Sequence, residues 1–317
     1  MISTSTSDVG VRICPLCGSA DAVTVLDRET LRGNSFHLVR CRNCSLTYTR
    51  PLPSTEELEK LYSDDFYPTG TTTMKQMRTL LHHIVLRQRY RPLSRRKPGR
   101  LLDVGCGDAD YLRYMRSRGW DVHGTETSSA AIRLARLKGI EPVASASVFQ
   151  TGYFDAVTLW HVIEHLPDPA SELVELHRIL KTDGVLVAEV PNMNSWMYSI
   201  CRAEWFPLDI PRHLQHFTPK TLRMLLDKCG FTVVARRNFH LSDPALVALS
   251  LLQRAGILHH GQAGQMVENV RSMPAMRKTL LSLTTPLIVL LSTVLSPLLF
   301  VLSRNSETMT ITAAPRA

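Results

Sequence analysis

The sequence predicts an α/β fold: an open, mostly parallel sheet, preceded by a small cysteine-rich unit and interrupted near its end by an apolar insertion. Three observations carry that expectation. Leu101 to Glu126 reads as strand, glycine turn, helix and second strand. Two further apolar strands, Asp155–Trp160 and Gly184–Val190, flank a helical pattern over Ser171–Leu180. Two β-prone runs, Phe231–Phe239 and Glu307–Ala314, then close the domain with about 65 residues between them. The chain has 317 residues, 44% of them hydrophobic, which is ample for a large domain plus a small one. Its first ten residues, MISTSTSDVG, lack a basic stretch followed by an apolar one, so no secretory signal is expected.

In chain order, the first unit spans residues 1–54. Cys14 and Cys17 form one C-x2-C pair, and Cys41 and Cys44 form a second just over twenty residues later. Two residues between thiolates let a tight knuckle aim both sulfurs at one cation, and two knuckles complete a tetrahedral site. This spacing predicts a zinc ribbon, with Phe36–Arg40 as the strand entering the second knuckle. Four sulfur ligands leave no open position, so the zinc is expected to be structural. Thiolate ligation also fits a reducing compartment. Cys106, Cys201 and Cys229 stand apart without an evident base and are read as packing residues.

Residues 55–98 form a helical basic linker. Nine of the 37 lysines and arginines fall between Met74 and Arg100, where there is no acid; the remainder balances at 28 basic and 28 acidic residues. The net charge of +9 is therefore local and suggests one anionic partner: phospholipid, a phosphate-bearing substrate or RNA. A solvated helix face is the alternative.

The third unit takes residues 99–240 and 307–317. Leu101–Val104 is a buried strand, and Gly105-Cys106-Gly107 a turn that lets backbone approach a ligand. Ala109–Arg118 is a helix, and Trp120–Gly124 a second strand that runs into Glu126. An acid at that strand end can accept both hydroxyls of a ribose. The stretch resembles motif I of the class I S-adenosylmethionine-dependent methyltransferases, an acid followed by G-x-G-x-G. Asp103, Gly105 and Gly107 match, and Ala109 replaces the third glycine. The run from Asp155 through E-H-L and D-P to Pro169 is similar to strand four and the following loop of that superfamily. The P-R-H-x-x-H-F run at Pro211–Phe217 resembles its cleft-covering segment. The resemblance implies a Rossmann-like sheet of seven strands with the last antiparallel. It also implies a cofactor, S-adenosylmethionine, held by Asp103, Gly105, Cys106, Gly107 and Glu126, with Trp160 and His161 lining the pocket. No acid stands in Val143–Ser147, so the adenine contact stays open.

Methyl transfer to a hydroxyl gains from a base, and neutral histidine suits that task. His161, His165, His213 and His216 are the candidates, with His165 and His213 preferred. The alternative role for His213 and His216 is to hold a metal together with Glu164. The Pro-Pro and Pro-Cys signatures of exocyclic-amino and carbon-5 pyrimidine methylation are missing after strand four, which disfavours those chemistries.

Residues 241–306 form the insertion. Thr279–Ser303 carries no charge, and as a straight helix would be about 37 Å long, against a bilayer core of about 30 Å. A single crossing would separate the last strand from its partner, and Pro286 and Pro297 favour bends. A non-spanning segment at an anionic membrane surface is therefore expected, with a lid or a contact to a second subunit as the alternative. Taken together, the expected protein is a cytoplasmic methyltransferase, peripheral or monotopic on the inner face. It would methylate oxygen on a lipid-linked, glycan or other small-molecule acceptor. An RNA methyltransferase with a zinc ribbon is the second reading, although only Tyr90 interleaves the basic helix. A non-catalytic scaffold is the third. No oligomeric state follows from the sequence.

Overall fold

The computed structural model describes residues 12–29, 35–54, 56–58, 73–238, 243–256, 288, 291–293 and 305–316. The chain begins with strands β1 (Ala22–Glu29), β2 (Ser35–Cys41) and β3 (Thr47–Arg50), paired in antiparallel sequence. Helix α1 (Thr73–Tyr90) follows; it has no acid in its first turn and carries Arg87 and Arg89 in its last, where cations favour the dipole. Then come β4 (Arg100–Val104), α2 (Asp110–Arg116), β5 (Asp121–Thr125), α3 (Ser129–Leu137), β6 (Phe154–Trp160), α4 (Pro169–Ile179) and β7 (Leu180–Pro191). The remaining elements are α5 (Trp196–Cys201), β8 (Gln215–His216), α6 (Pro219–Lys228), β9 (Phe231–Arg237), α7 (Asp243–Arg254) and β10 (Thr308–Pro315).

Two sheets result. The larger has the order β5-β4-β6-β7-β10-β9; β4, β5, β6 and β7 are parallel, and β10 runs antiparallel to both β7 and β9. Central parallel strands are covered on both faces, so they read as continuous apolar runs. Leu101, Leu102, Val157, Leu159, Leu186 and Ala188 are accordingly fully buried, the larger of them each contributing roughly 1.5–3 kcal/mol on burial. Helix starts follow their capping residues. The Ser128 side chain accepts from Ala131 N–H, Asp168 from Ser171 N–H, and Thr218 forms a capping box with Thr221.

Among the described residues the sheet has six strands where seven are expected, because the third, at Val143, is reduced to a single bridge to Thr125. After Val143 the chain offers only alanine and serine, and Ser145 caps a short 3-10 turn at Ala146–Val148 in place of a ladder. Strand β7 begins four residues earlier than its apolar pattern, because Leu180 pairs with Phe154 ahead of a register shift.

The smaller sheet, β1-β2-β3-β8, joins the N-terminal cysteine-rich unit to the segment that carries His213 and His216. Thr47 pairs with His216 and Tyr48 with Gln215. The Thr49 hydroxyl donates to the His213 carbonyl at 2.8 Å, and the Arg12 guanidinium to the Leu214 carbonyl at 3.1 Å. Helix α7 opens the insertion and packs Val247 with Leu38, Met197 and Trp205. Most of the 279–303 run lies outside the described residues, as does its expected membrane or lid role. No helix among the described residues is long and apolar enough to cross a membrane.

At the mouth of the insertion, Asn192 holds β10 by donating its N–H to the Glu307 carbonyl at 2.8 Å and its side-chain amide to Ser306 at 3.0 Å. Thr308 donates its hydroxyl to Asp243 at 3.0 Å. Glu307 is buried beside these groups. One carboxyl oxygen accepts from Trp205 Nε1–H and Ser195 Oγ–H, and the other has no partner among the described residues. Burial is the main reason its carboxyl rises to about 8. Between the ordinary glutamate value and that point the unfolded chain has released a proton that the folded chain keeps, so this group's contribution to stability falls as pH rises. Glu307→Gln is expected to flatten the fall in melting temperature between pH 5 and pH 8 by a few degrees. An unchanged pH profile of melting would exclude a protonated Glu307.

Candidate active site

The glycine turn follows β4. Gly105 and Gly107 have φ of +63° and +55°, the left-handed region where a side chain is strained. A Cβ on Gly105 would stand 2.9 Å from Val162 Cγ2, so this turn lies directly against the loop after β6. Cys106 contributes backbone: its N–H donates to the Thr125 carbonyl at 2.9 Å, while its thiol is buried and raised by burial. Cys201 and Cys229 are likewise buried. Glu126 ties the turn to β5. One carboxylate oxygen accepts from Gly107 N–H at 2.9 Å; the other accepts from Thr127 and Ser128 N–H at 2.7 and 2.9 Å. Asp103 is buried and accepts from the Thr158 hydroxyl at 2.6 Å, and burial pushes its carboxyl up to about 7. It therefore braces β4 to β6 rather than bonding the glycine turn.

These residues fit S-adenosylmethionine: a glycine turn without side chains that lets a ligand approach the backbone, closed by an acid at the ribose end. Glu126→Ala is expected to weaken cofactor binding by about 10- to 100-fold, since it removes a charged acceptor and frees the Gly107 backbone. Calorimetric titration checks this, and unchanged affinity would remove Glu126 from the site.

Trp160, the last residue of β6, is buried edge-on to Tyr111, with ring centroids 5.3 Å apart, and Arg89 of α1 lies 5.1 Å above it. His161 has φ +58° and is held between two acids. Its Nδ1 lies 3.2 Å from Glu164 and its Nε2 3.2 Å from Glu189. Burial opposes its charge, but hydrogen bonds to both acids outweigh that and push it up to about 9. A protonated imidazole with both N–H groups engaged cannot accept a proton, so His161 leaves the set of candidate bases. Arg89 and Glu189 are members of this site that sequence reading missed. Glu189 had a signal, a lone acid in the apolar strand VLVAEV. Arg89 had none that set it apart from its basic neighbours.

His165 and His213 gather beside Glu164, with His216 next to His213. The His165 and His213 rings are 4.6 Å apart, and those of His213 and His216 are 6.2 Å apart. Nδ1–H of His165 donates to the Arg212 carbonyl at 3.1 Å, and that of His213 to the Pro207 carbonyl at 2.8 Å. Burial holds all three rings neutral, with Arg212 adding to the effect at His165 and His213; His216 falls to about 3. Leu214 N–H donates to the Glu164 carbonyl at 2.7 Å, which clamps the two loops together.

Cys14, Cys17, Cys41 and Cys44 converge with their sulfurs within 4.8 Å of one another, and the pairs Cys14–Cys44 and Cys17–Cys41 are 3.5 Å apart. Sulfurs around one tetrahedral zinc stand roughly 3.8 Å apart. Burial raises the thiols of Cys14 and Cys44, so four thiolates can share this space only around a cation. The geometry fits zinc.

A sequence profile described as methyltransferase domain matches residues 74–236. The ubiquinone biosynthesis O-methyltransferase of Alkalilimnicola ehrlichii is 34% identical over 125 residues, 36% of this chain and 51% of that protein. The one from Pseudomonas aeruginosa is 30% identical over 130 residues, 37% of this chain and 56% of that protein. The chain thus spans about half the length of these curated relatives. A solved SAM-dependent methyltransferase from Archaeoglobus fulgidus superimposes with a TM-score of 0.49 at 19% identity, covering 77% of this chain and 100% of that one. With more than half its residues matched, and with the glycine turn and strand order on which the motif depends, the chain belongs to the S-adenosylmethionine-dependent methyltransferase family.

Proposed function

We propose that this protein methylates a hydroxyl of a small-molecule acceptor with a substantial apolar part, such as a quinone-like phenol carrying a lipid tail. The observation that carries the reading is the neutral His165–His213 pair: His165 lies on the loop that packs Val162 against the glycine turn, and His213 on the segment clamped to that loop through Leu214. S-adenosylmethionine, when bound, supplies an electrophilic methyl group on a sulfonium. The chain's own work is to hold the acceptor in line, exclude water and take up the hydroxyl proton. Both imidazoles have committed Nδ1–H to a carbonyl, so Nε2 is the basic atom. The Glu164 carboxylate would stabilise the positive ring formed on proton uptake. The names of the relatives support oxygen as the methylated atom. The uncharged 279–303 run supports an acceptor met at the inner membrane face, with the protein cytoplasmic and peripheral or monotopic there.

Incubating the full chain with host-cell extract and S-adenosylmethionine carrying a labelled methyl group tests the proposal. Label is expected in the organic-solvent fraction, as an alkali-stable methyl ether. Label confined to RNA or protein would overturn the reading and turn attention to the basic helix.

A further inference from the structure

We propose that Glu164, His165 and His213 bind one divalent transition-metal ion of the zinc type, in a site separate from the four cysteines. One ligating atom of each residue lies within 4.8 Å of the others. Three donors about 2.0–2.2 Å from a shared ion stand roughly 3–3.6 Å apart, so side-chain adjustments of about an ångström close the set. The set differs in kind from the ribbon: two imidazoles and one carboxylate are the ligands of zinc sites that keep a position open. Sequence spacing suggested Glu164, His213 and His216, whereas the donor atoms that lie within 4.8 Å of one another are those of Glu164, His165 and His213.

Two independent features prepare these residues. The rings are in the required tautomer: each Nδ1–H is held by a backbone carbonyl, which leaves Nε2 as the lone pair and fixes ring orientation. Second, Glu164 is only 1% exposed and its two oxygens are unequal. Oε1 meets His161, whereas Oε2 has no hydrogen-bond partner among the described residues. A buried carboxylate oxygen left bare is a substantial penalty, which a cation between the loops would remove. The nearby guanidinium of Arg212 does not fill that place, because it is paired with Asp209. Asp209 itself stands 4.0 Å from Nε2 of His213.

The inference concerns binding and does not require the acceptor to be known. If methyl transfer is the activity, an ion here would occupy both imidazole lone pairs. The open position of such an ion would acidify a coordinated acceptor hydroxyl, whose proton would pass to solvent in place of a free ring.

Cobalt titration of the metal-stripped full chain separates the two sites, because cobalt on four thiolates gives intense sulfur-to-metal charge-transfer absorption and cobalt on imidazole and carboxylate does not. The wild-type chain is expected to bind two equivalents, only one of them adding charge-transfer intensity. Glu164→Gln and His213→Ala are expected to bind one, with that band intact as evidence of a folded ribbon and the second site weakened at least tenfold. His216→Ala is expected to retain two. A wild-type chain that saturates at one equivalent overturns the proposal, as does a Glu164→Gln variant that still takes two. Because the stoichiometry is read without turnover, neither result depends on the methyl-transfer reading.

Discussion

Methyl transfer by His213→Ala is expected to be slower by about 10²–10⁴, with affinity for S-adenosylmethionine within about twofold of the wild type. The two readouts part because the histidine and the cofactor cradle sit on different loops. The cradle is held by Glu126 and by the β4 to β5 ladder, neither of which touches His213. The loop itself should survive the change. Its clamps are backbone groups: the His213 carbonyl takes the Thr49 hydroxyl, and Leu214 is bonded to both Thr49 and Glu164. What disappears is a neutral ring 4.6 Å from His165, whether it acts as a base or as a metal ligand. Single-turnover rates beside calorimetric cofactor affinity give the answer. A rate within threefold of the wild type would show that the acceptor proton leaves by another path.

Cys41→Ser should have the second large effect, and it should reach the chemistry from a distance. Structural zinc in small modules contributes on the order of 10 kcal/mol to folding. Losing one thiolate is therefore expected to remove one zinc per chain and to lower the melting temperature by about 10 °C or more. Activity should fall with it. The strand that Cys41 ends pairs with β3, which pairs with β8, and β8 follows His213 by one residue. A ribbon that slackens releases the loop carrying two of the histidines. Zinc content, melting temperature and turnover of the same preparation are the measurements. Wild-type values for the first two would remove the ribbon assignment, while wild-type turnover in a zinc-depleted variant would break the link between ribbon and loop.

Legibility in the sequence followed locality. The cradle could be read because glycine turns, a following helix and an acid at a strand end are short-range features spanning Asp103 to Glu126. The cysteine ribbon could be read because its ligand spacing is itself the signal. Strand β8 could not: it is two residues long, and its partner lies 167 residues earlier at the Tyr48–Gln215 pair. The role of His161 was hidden for the same reason. It looked like one more candidate base until β7 brought Glu189 to its far nitrogen. Arg89 looked like a surface cation within a basic helix, yet the packing of Leu86 and Tyr90 turns it toward Trp160. Of the strands, only the third misled, because one valine among small residues does not sustain a ladder.

The clasp at the mouth of the insertion has a consequence for how such a protein can vary. Asp243 and Thr308, 65 positions apart, are bonded to each other, and Asn192 fastens the residues just before β10. The sheet is therefore complete at the knot, whatever chain lies between. Lengthening a closed loop is thermodynamically cheap, about 0.6 kcal/mol per doubling. The stretch beyond α7 can thus be exchanged, extended or shortened as a cassette, and relatives sharing this catalytic scaffold could be addressed to different surfaces by that segment alone.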